Sequence, residues 1–303
     1  MKTPKLVPIA TLIAIVGVIT YFRNRFGWNR KANNMQTTTS NDGTKIAYEK
    51  TGNGPAVILV VGALASRSDH AKLAKALSSD FTVYNYDRRG RGDSGDTKPY
   101  AVQREVEDID VLIDEAGGSA YVYGISSGAC LALQAAAALG DKVKKLAIYE
   151  APYDEAEGAA EKWKVYRSEL KKLIAEDRRA DAVEYHMKFV GVPDVAILGM
   201  KASPGWSAMK ALAPTLAGDV AVVGENRSIP VRRVAAIKAN TLVMDGGKSL
   251  ESMPFMRATA DKLAKKIPNA QRRTVEDQDH SVDEKELAPI LRDFYNQETS
   301  VIN

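Results

Sequence analysis

Gly124-Ile125-Ser126-Ser127-Gly128 sets a serine between two glycines, where the β-prone run Ala120-Tyr121-Val122-Tyr123 gives way to the small-residue run Gly128-Ala129-Cys130-Leu131-Ala132-Leu133. A serine on a sharp strand-to-helix turn projects its hydroxyl above the sheet edge, and the flanking glycines leave room for the turn. The chemistry this predicts is nucleophilic attack by Ser126. The backbone N–H of Ser127, at the start of the helix, is suited to hold an oxyanion. A serine nucleophile needs a base, and the chain offers only His70, His186 and His280. His70 reads as a surface-helix residue, and His186 falls in a helical block. His280 follows Glu276-Asp277-Gln278-Asp279, a polar loop after the last strand, where a mobile general base belongs.

The elements that must carry these residues are legible as an alternation of apolar runs and amphipathic stretches from Lys45 onward. That alternation predicts an α/β fold: a mostly parallel, doubly wound sheet with helices on both faces. Strands are expected at Ile46–Glu49, Ala56–Val61, Phe81–Asp87, before Gly124, at Lys145–Glu150, Thr241–Asp245 and near Gln271–Val275. Helices are expected over Asp69–Leu77, Val102–Glu115, after Ser126, near Pro254–Lys265 and over Glu284–Asn296. Between Ala151 and about Lys238 the alternation stops, and Trp163, Tyr166, Leu170, Leu173 and Ile174 fall at helical spacing. Such a block between two strands predicts an inserted cap over the C-terminal sheet edge, where open α/β sheets bind ligands. The expected division is 1–34 leader, 35–150 first part of the core, 151–238 cap and 239–303 second part of the core.

From Lys45 to Tyr295 the chain resembles the α/β-hydrolase superfamily. The resemblance rests on the Ser126 turn, Val61-Gly62-Ala63 after a strand, Asp87-Arg88-Arg89-Gly90-Arg91-Gly92-Asp93-Ser94, and Asp279-His280 before the last helix. It implies an α/β-hydrolase fold and a chain order of nucleophile, acid, histidine, with His280 as the base. The acid is less direct. The slot that most often holds it, shortly after the strand ending at Asp245, carries Lys248-Ser249. Glu150 takes its place by resemblance to the haloalkane dehalogenase branch, which draws its acid from that strand end in a similar Tyr-x-Glu-Ala setting. Asp245 is the alternative, although it lies one residue before Gly246, where its side chain can point away; Asp283 or no acid at all completes the choices. The resemblance also implies an oxyanion hole built from the Ala63 and Ser127 amides, in which Gly62-Ala63 replaces the more common His-Gly pair.

Other readings of the same residues fare worse. Gly90-Arg91-Gly92-Asp93-Ser94-Gly95 matches the dinucleotide-binding pattern G-x-G-x-x-G, but Asp96-Thr97-Lys98-Pro99 follows where a helix should open. Asp93 would also repel a pyrophosphate, so a structural turn is expected. Three dispersed histidines and a single cysteine give no metal-ligand spacing, so neither metal nor cofactor is expected. Cys130 reads as a small buried residue of the helix after Ser126.

The net charge of +4 misleads, because residues 1–34 hold six basic residues and no acidic one. The remainder is slightly acidic and offers no basic field to nucleic acid. Leu6–Phe22 is uncharged, mostly Ile, Val, Leu and Ala, and is followed by Arg23 and Arg25. At about 17 residues it reaches the lower limit for a membrane span, and the charge after it favours a cytoplasmic C-terminal side. The expectation is a membrane anchor at residues 6–22 with a cytoplasmic catalytic domain; a start at Met35 would instead give a soluble cytoplasmic protein. The expected activity is hydrolysis of a carboxylic ester or related acyl bond in a small, apolar substrate. Trp163, Met187, Phe189, Met200 and Trp206 would either line a greasy pocket or fill the cap core. A non-catalytic binding protein of the same fold is the alternative, and cofactor-free haloperoxidase or C–C bond hydrolase chemistry a second.

Overall fold

The computed structural model of the protein describes residues 35–297. Eight strands form one sheet: β1 (Met35–Thr39), β2 (Lys45–Thr51), β3 (Ala56–Val60), β4 (Thr82–Tyr86), β5 (Ala120–Ile125), β6 (Val143–Tyr149), β7 (Asn240–Gly246) and β8 (Ala270–Val275). Their order is β1-β2-β4-β3-β5-β6-β7-β8. The six strands from β3 to β8 run parallel, while β2 lies antiparallel to β4 and β1 antiparallel to β2. The central strands are continuous apolar runs because both of their faces are covered. Val57, Leu59, Tyr123 and Ala147 face one apolar core, and Ile58, Val60, Val122 and Leu146 face the other.

Helices α1 (Ala71–Leu77) and α12 (Glu284–Asn296) close the first face; α2 (Val102–Glu115), α3 (Ser127–Leu139) and α11 (Phe255–Lys266) close the second. Val106, Ile109 and Ile113 recur at helical spacing on α2 and are buried. Burying each such side chain contributes about 1.5–3 kcal/mol. In α3, Ser127 to Ala136 is buried throughout, and apart from Gln134, whose amide is hydrogen-bonded to the Val222 carbonyl, these residues are small or apolar. Both α2 and α12 span the residues that their sequence periodicity predicts. No sequence pattern marks strand β1: MQTTT has no apolar alternation, and it is held by edge pairing to β2 with only Thr38 buried.

Between β6 and β7 lie six helices: α4 (Ala159–Ala175), α5 (Arg179–Phe189), α6 (Asp194–Lys201), α7 (Gly205–Leu212), α8 (Leu216–Val223) and the short α9 (Val231–Val234). Another short helix, α10 (Ser249–Ser252), follows β7. Trp163, Met187, Met200 and Trp206 are buried in the core shared by this inserted layer and the sheet. Phe189 stacks on Tyr166 with ring centroids 3.9 Å apart.

The expected membrane placement does not stand. Among the described residues no helix is long and apolar enough to cross a membrane. The longest of them, α4, has 17 residues and carries Glu161, Lys162, Lys164, Arg167, Glu169, Lys171 and Lys172, which lipid would not accept. Residues 6–22, on which the expectation rested, lie outside the described residues.

Candidate active site

The C-terminal edge of the parallel sheet brings together residues far apart in the chain. At the end of β5 the chain reverses into α3 through Ser126, whose backbone takes φ 56° and ψ −130°. A non-glycine residue held at positive φ carries a strain of order 1–3 kcal/mol, which the surroundings must impose. Here they do. A Cβ on Gly124 would lie 2.5 Å from the Gly128 carbonyl, and a Cβ on Gly128 would lie 2.4 Å from the Val60 carbonyl. Both glycines are therefore demanded by close backbone approach, and the turn between them is locked. The Ser126 N–H donates to the Tyr149 carbonyl at 3.0 Å, tying the turn to the end of β6.

Immediately after β6 comes Glu150, which is buried and also at positive φ, 49°. One carboxylate oxygen accepts from the Gly246 N–H at 2.8 Å, and the other lies 2.6 Å from His280 Nδ1. The loop carrying His280 is secured by its backbone: the Tyr149 hydroxyl donates to the Asp279 carbonyl at 2.6 Å, and the Lys248 N–H to the Gln278 carbonyl at 2.8 Å. Leu64, Ser126, Glu150 and Asp277 are four of the six described non-glycine residues at positive φ. All four stand in or beside the site, so backbone strain is concentrated there.

Ser126 and His280 open onto one cavity of about 500 Å³, whose lining also includes Gly62, Ala63, His70 and Tyr123. His70 differs from its sequence reading: it sits in the short turn Arg67–His70 and packs against the Tyr123 ring, 5.7 Å between centroids, in the cavity wall rather than on an outer surface. Ser68, Asp69, Lys72, Asp283, Glu284 and Lys285 line the same space. Trp163, Met187, Phe189, Met200 and Trp206 do not line it.

The remaining candidates have other partners. Asp245 is fully buried at the end of β7, but its carboxylate meets Arg257 Nε at 3.1 Å, Arg272 Nη1 at 2.8 Å and Thr274 Oγ1 at 2.8 Å. Asp283 caps α12 by accepting from the Lys285 N–H. His186 Nδ1 lies 2.7 Å from the Tyr166 hydroxyl, and burial pulls its pKa down to about 4, so the ring is neutral at pH 7. Cys130 is buried, and burial pushes its thiol up to about 12, leaving it unreactive. Among the described residues no group of three or more His, Cys, Asp or Glu side chains is arranged to hold a metal ion.

One group escaped the sequence reading. The turn after β4 is closed by Gly90 N–H to Gly95 O at 2.9 Å and does not open a helix; α2 begins only at Val102. Its arginines turn inward. Arg88 is buried and donates to both oxygens of Glu105 at 2.7 Å and to Asp219 at 2.8 Å; Arg91 donates to Asp219 at 2.7 Å. Ser127 Oγ donates to the same Asp219 oxygen at 2.7 Å. Burial alone would raise the Asp219 carboxyl, but Arg91, Arg88 and the Ser127 bond outweigh it and hold it down at about 2. The signal that could have found this group is the pair of arginines flanking Arg89-Gly90; nothing near Asp219 marks it.

Residues 57–289 match the model of the alpha/beta hydrolase family. An alpha/beta hydrolase from Sphaerobacter thermophilus is 48% identical in a structural match covering 86% of this chain and 100% of that one, with a TM-score of 0.79. An esterase from a Rhodococcus species shares the fold at 20% identity and a TM-score of 0.64, over 86% of this chain and 98% of that one. The uncharacterized hydrolase YraK of Bacillus subtilis is 34% identical over 95 residues, 30% of this chain; the match spans only 35% of that curated relative. With most of its length matched by the family model, and nearly half of the matched residues identical to those of a solved alpha/beta hydrolase, this chain belongs to the alpha/beta hydrolase family.

Proposed function

We propose that this protein is a serine hydrolase that cleaves a carboxylic ester or related acyl bond of a small molecule through an acyl-enzyme. The observation that carries the reading is the 2.6 Å contact between His280 Nδ1 and the buried Glu150 carboxylate, beside a cavity that Ser126 shares. In this reading Glu150 fixes the imidazole with its Nδ1–H toward the carboxylate, which leaves Nε2 free to accept a proton. Ser126 Oγ attacks the acyl carbon as its proton passes to His280 Nε2, and the carbonyl oxygen becomes an oxyanion held by the Ala63 and Ser127 amides. When the intermediate collapses, the bond to the leaving oxygen breaks and His280 returns the proton to it. Water then adds by the same route: its proton goes to His280, its hydroxide to the acyl carbon, and the proton finally returns to Ser126 Oγ. Esterase activity in the Rhodococcus relative is compatible with this chemistry but lends it only the weight of a shared fold.

Turnover of p-nitrophenyl esters of increasing chain length, with fluorophosphonate labelling, tests the proposal. Ser126→Ala and His280→Ala should each lower turnover by about 10³-fold or more while the protein stays folded. Labelling should fall on Ser126 and vanish in Ser126→Ala. A folded Ser126→Ala variant with wild-type turnover would sink the assignment, and a wild-type protein that neither labels nor turns over any ester would favour the non-catalytic reading.

A further inference from the structure

We infer that Arg91 and Asp219 are positioning residues for the oxyanion hole, so that the helical layer inserted between β6 and β7 holds the hydrolytic machinery in register. The inference rests on the assignment of Ala63 and Ser127 as oxyanion donors given above.

Asp219 belongs to α8 in that inserted layer and is buried. A single oxygen, Oδ1, accepts from Ser127 Oγ, Arg88 Nη1 and Arg91 Nη2 at 2.7, 2.8 and 2.7 Å. The other terminal nitrogen of Arg91 donates to the Gly62 carbonyl and, at 3.1 Å, to the Ala65 carbonyl. Arg88 Nη1 also reaches the Val61 carbonyl at 3.3 Å. The loop that follows β3 is thus gripped at three carbonyls by two buried guanidinium groups. Two arginines and two carboxylates, Glu105 and Asp219, balance in charge, which makes their burial tolerable.

The consequence for catalysis follows from peptide geometry. The Gly62 C=O and the Ala63 N–H belong to one planar trans unit, in which they point in opposite directions. An arginine that grips the Gly62 oxygen therefore directs the Ala63 N–H away from itself. Gly62 itself adjoins the nucleophile: a Cβ placed there would lie 3.0 Å from Ser126 Cβ and 3.6 Å from its Oγ. A cation on the carbonyl side also polarises the amide and strengthens the N–H as a donor. On the opposite side of the oxyanion, Ser127 is anchored by its own hydroxyl to Asp219. Both donors are thereby referred to one carboxylate oxygen, 92 residues along the chain from Ser127. Hydrogen bonds in an oxyanion hole are worth most when they are fixed before charge develops. Loosening this anchor should slow the chemical step and leave ground-state binding nearly unchanged.

The test compares Arg91→Lys, Asp219→Asn and Ser127→Ala with Glu105→Gln in the full chain. Each is measured for kcat and KM on one p-nitrophenyl ester, fluorophosphonate labelling rate, circular dichroism and thermal midpoint. Ser127→Ala removes a hydroxyl and no charge, so it keeps the comparison decisive where a charge change prevents folding. Asp219→Asn and Arg91→Lys should lower kcat by about 10–100-fold, and Ser127→Ala by about 3–10-fold, with KM within about threefold and labelling slowed in parallel. Glu105→Gln disturbs the same charge cluster from the side of Arg88, so it should lower the thermal midpoint while kcat stays near wild type. Wild-type kcat in the folded Ser127, Arg91 and Asp219 variants would overturn the inference, as would an equal loss of kcat in Glu105→Gln. Failure of the underlying reading looks different: the wild type would not label at Ser126, or Ser126→Ala would keep its turnover.

Discussion

Glu150 and Asp245 end neighbouring parallel strands, both as fully buried carboxylates, yet their surroundings differ completely. The chain at Glu150 has already left β6 and turned to φ 49°, which swings the side chain along the sheet edge to Gly246 N–H and His280. Asp245 is still inside β7. Strand side chains alternate, so Asp245 follows Val243 to the face covered by α11, where Arg257 meets it, while Arg272 and Thr274 reach it from β8. One carboxylate has a histidine and a backbone amide as partners; the other has two arginines and a threonine. The two residues stand at the same register position, so it is the turn at Glu150, against the continuing strand at Asp245, that gives one carboxylate a histidine and the other two arginines.

The largest effect that separates the two ends is expected at Glu150. Replacement by Gln keeps the shape but removes the charge that would stabilise the His280 imidazolium, and an amide can also present N–H where Nδ1–H needs an acceptor. Turnover of an activated ester should fall by about 10²–10⁴-fold with the fold retained. Near-wild-type turnover in a folded Glu150→Gln variant would remove Glu150 from the mechanism and leave a Ser-His pair. The matching change at Asp245 should show the reverse profile. Asp245→Asn weakens charge-assisted bonds to Arg257 and Arg272, costing about 1–3 kcal/mol of stability, while kcat stays within about threefold. Urea unfolding and ester kinetics on the same preparations check both. A greater loss of turnover in Asp245→Asn than in Glu150→Gln would reverse their roles.

What the sequence made legible follows the range of its signals. Alternating apolar runs and the Gly124–Gly128 turn are local, and they placed seven of the eight strands and the inserted helical block. Ser126 and His280 could be singled out because a serine between glycines and a histidine on a late polar loop each have a local context. Glu150 emerged from resemblance rather than from its own surroundings, since the φ that redirects its side chain cannot be read from Tyr149-Glu150-Ala151. β1 escaped because an edge strand held by backbone pairing needs no apolar pattern. Asp219 escaped for a different reason. Its meaning depends on Ser127, Arg88 and Arg91, which lie about 90 residues or more away in the chain. His70 departs from expectation because a short polar turn looks the same in sequence whether it faces bulk water or a cavity wall.

The smallest expected effect concerns the redundancy around Asp245, and it sharpens the contrast with Glu150. Arg257 has 35% of its side-chain surface exposed, whereas Asp245 has 1%. An ion pair with one partner in water gains little, typically less than about 1 kcal/mol. In Arg257→Ala the Asp245 carboxylate keeps Arg272 at 2.8 Å and Thr274 at 2.8 Å, so its burial remains compensated. Stability should therefore drop by no more than about 1 kcal/mol, without change in kcat. The double variant Arg257→Ala/Arg272→Ala is different in kind, since it leaves a buried charge with a single neutral partner. Its cost should exceed the sum of the single changes, and adding Asp245→Asn to it should recover stability. A loss of several kcal/mol in Arg257→Ala alone, measured by urea unfolding, would show that the two arginines are not redundant. Glu150 has no such reserve: its two oxygens have one partner each, and one of those partners is His280.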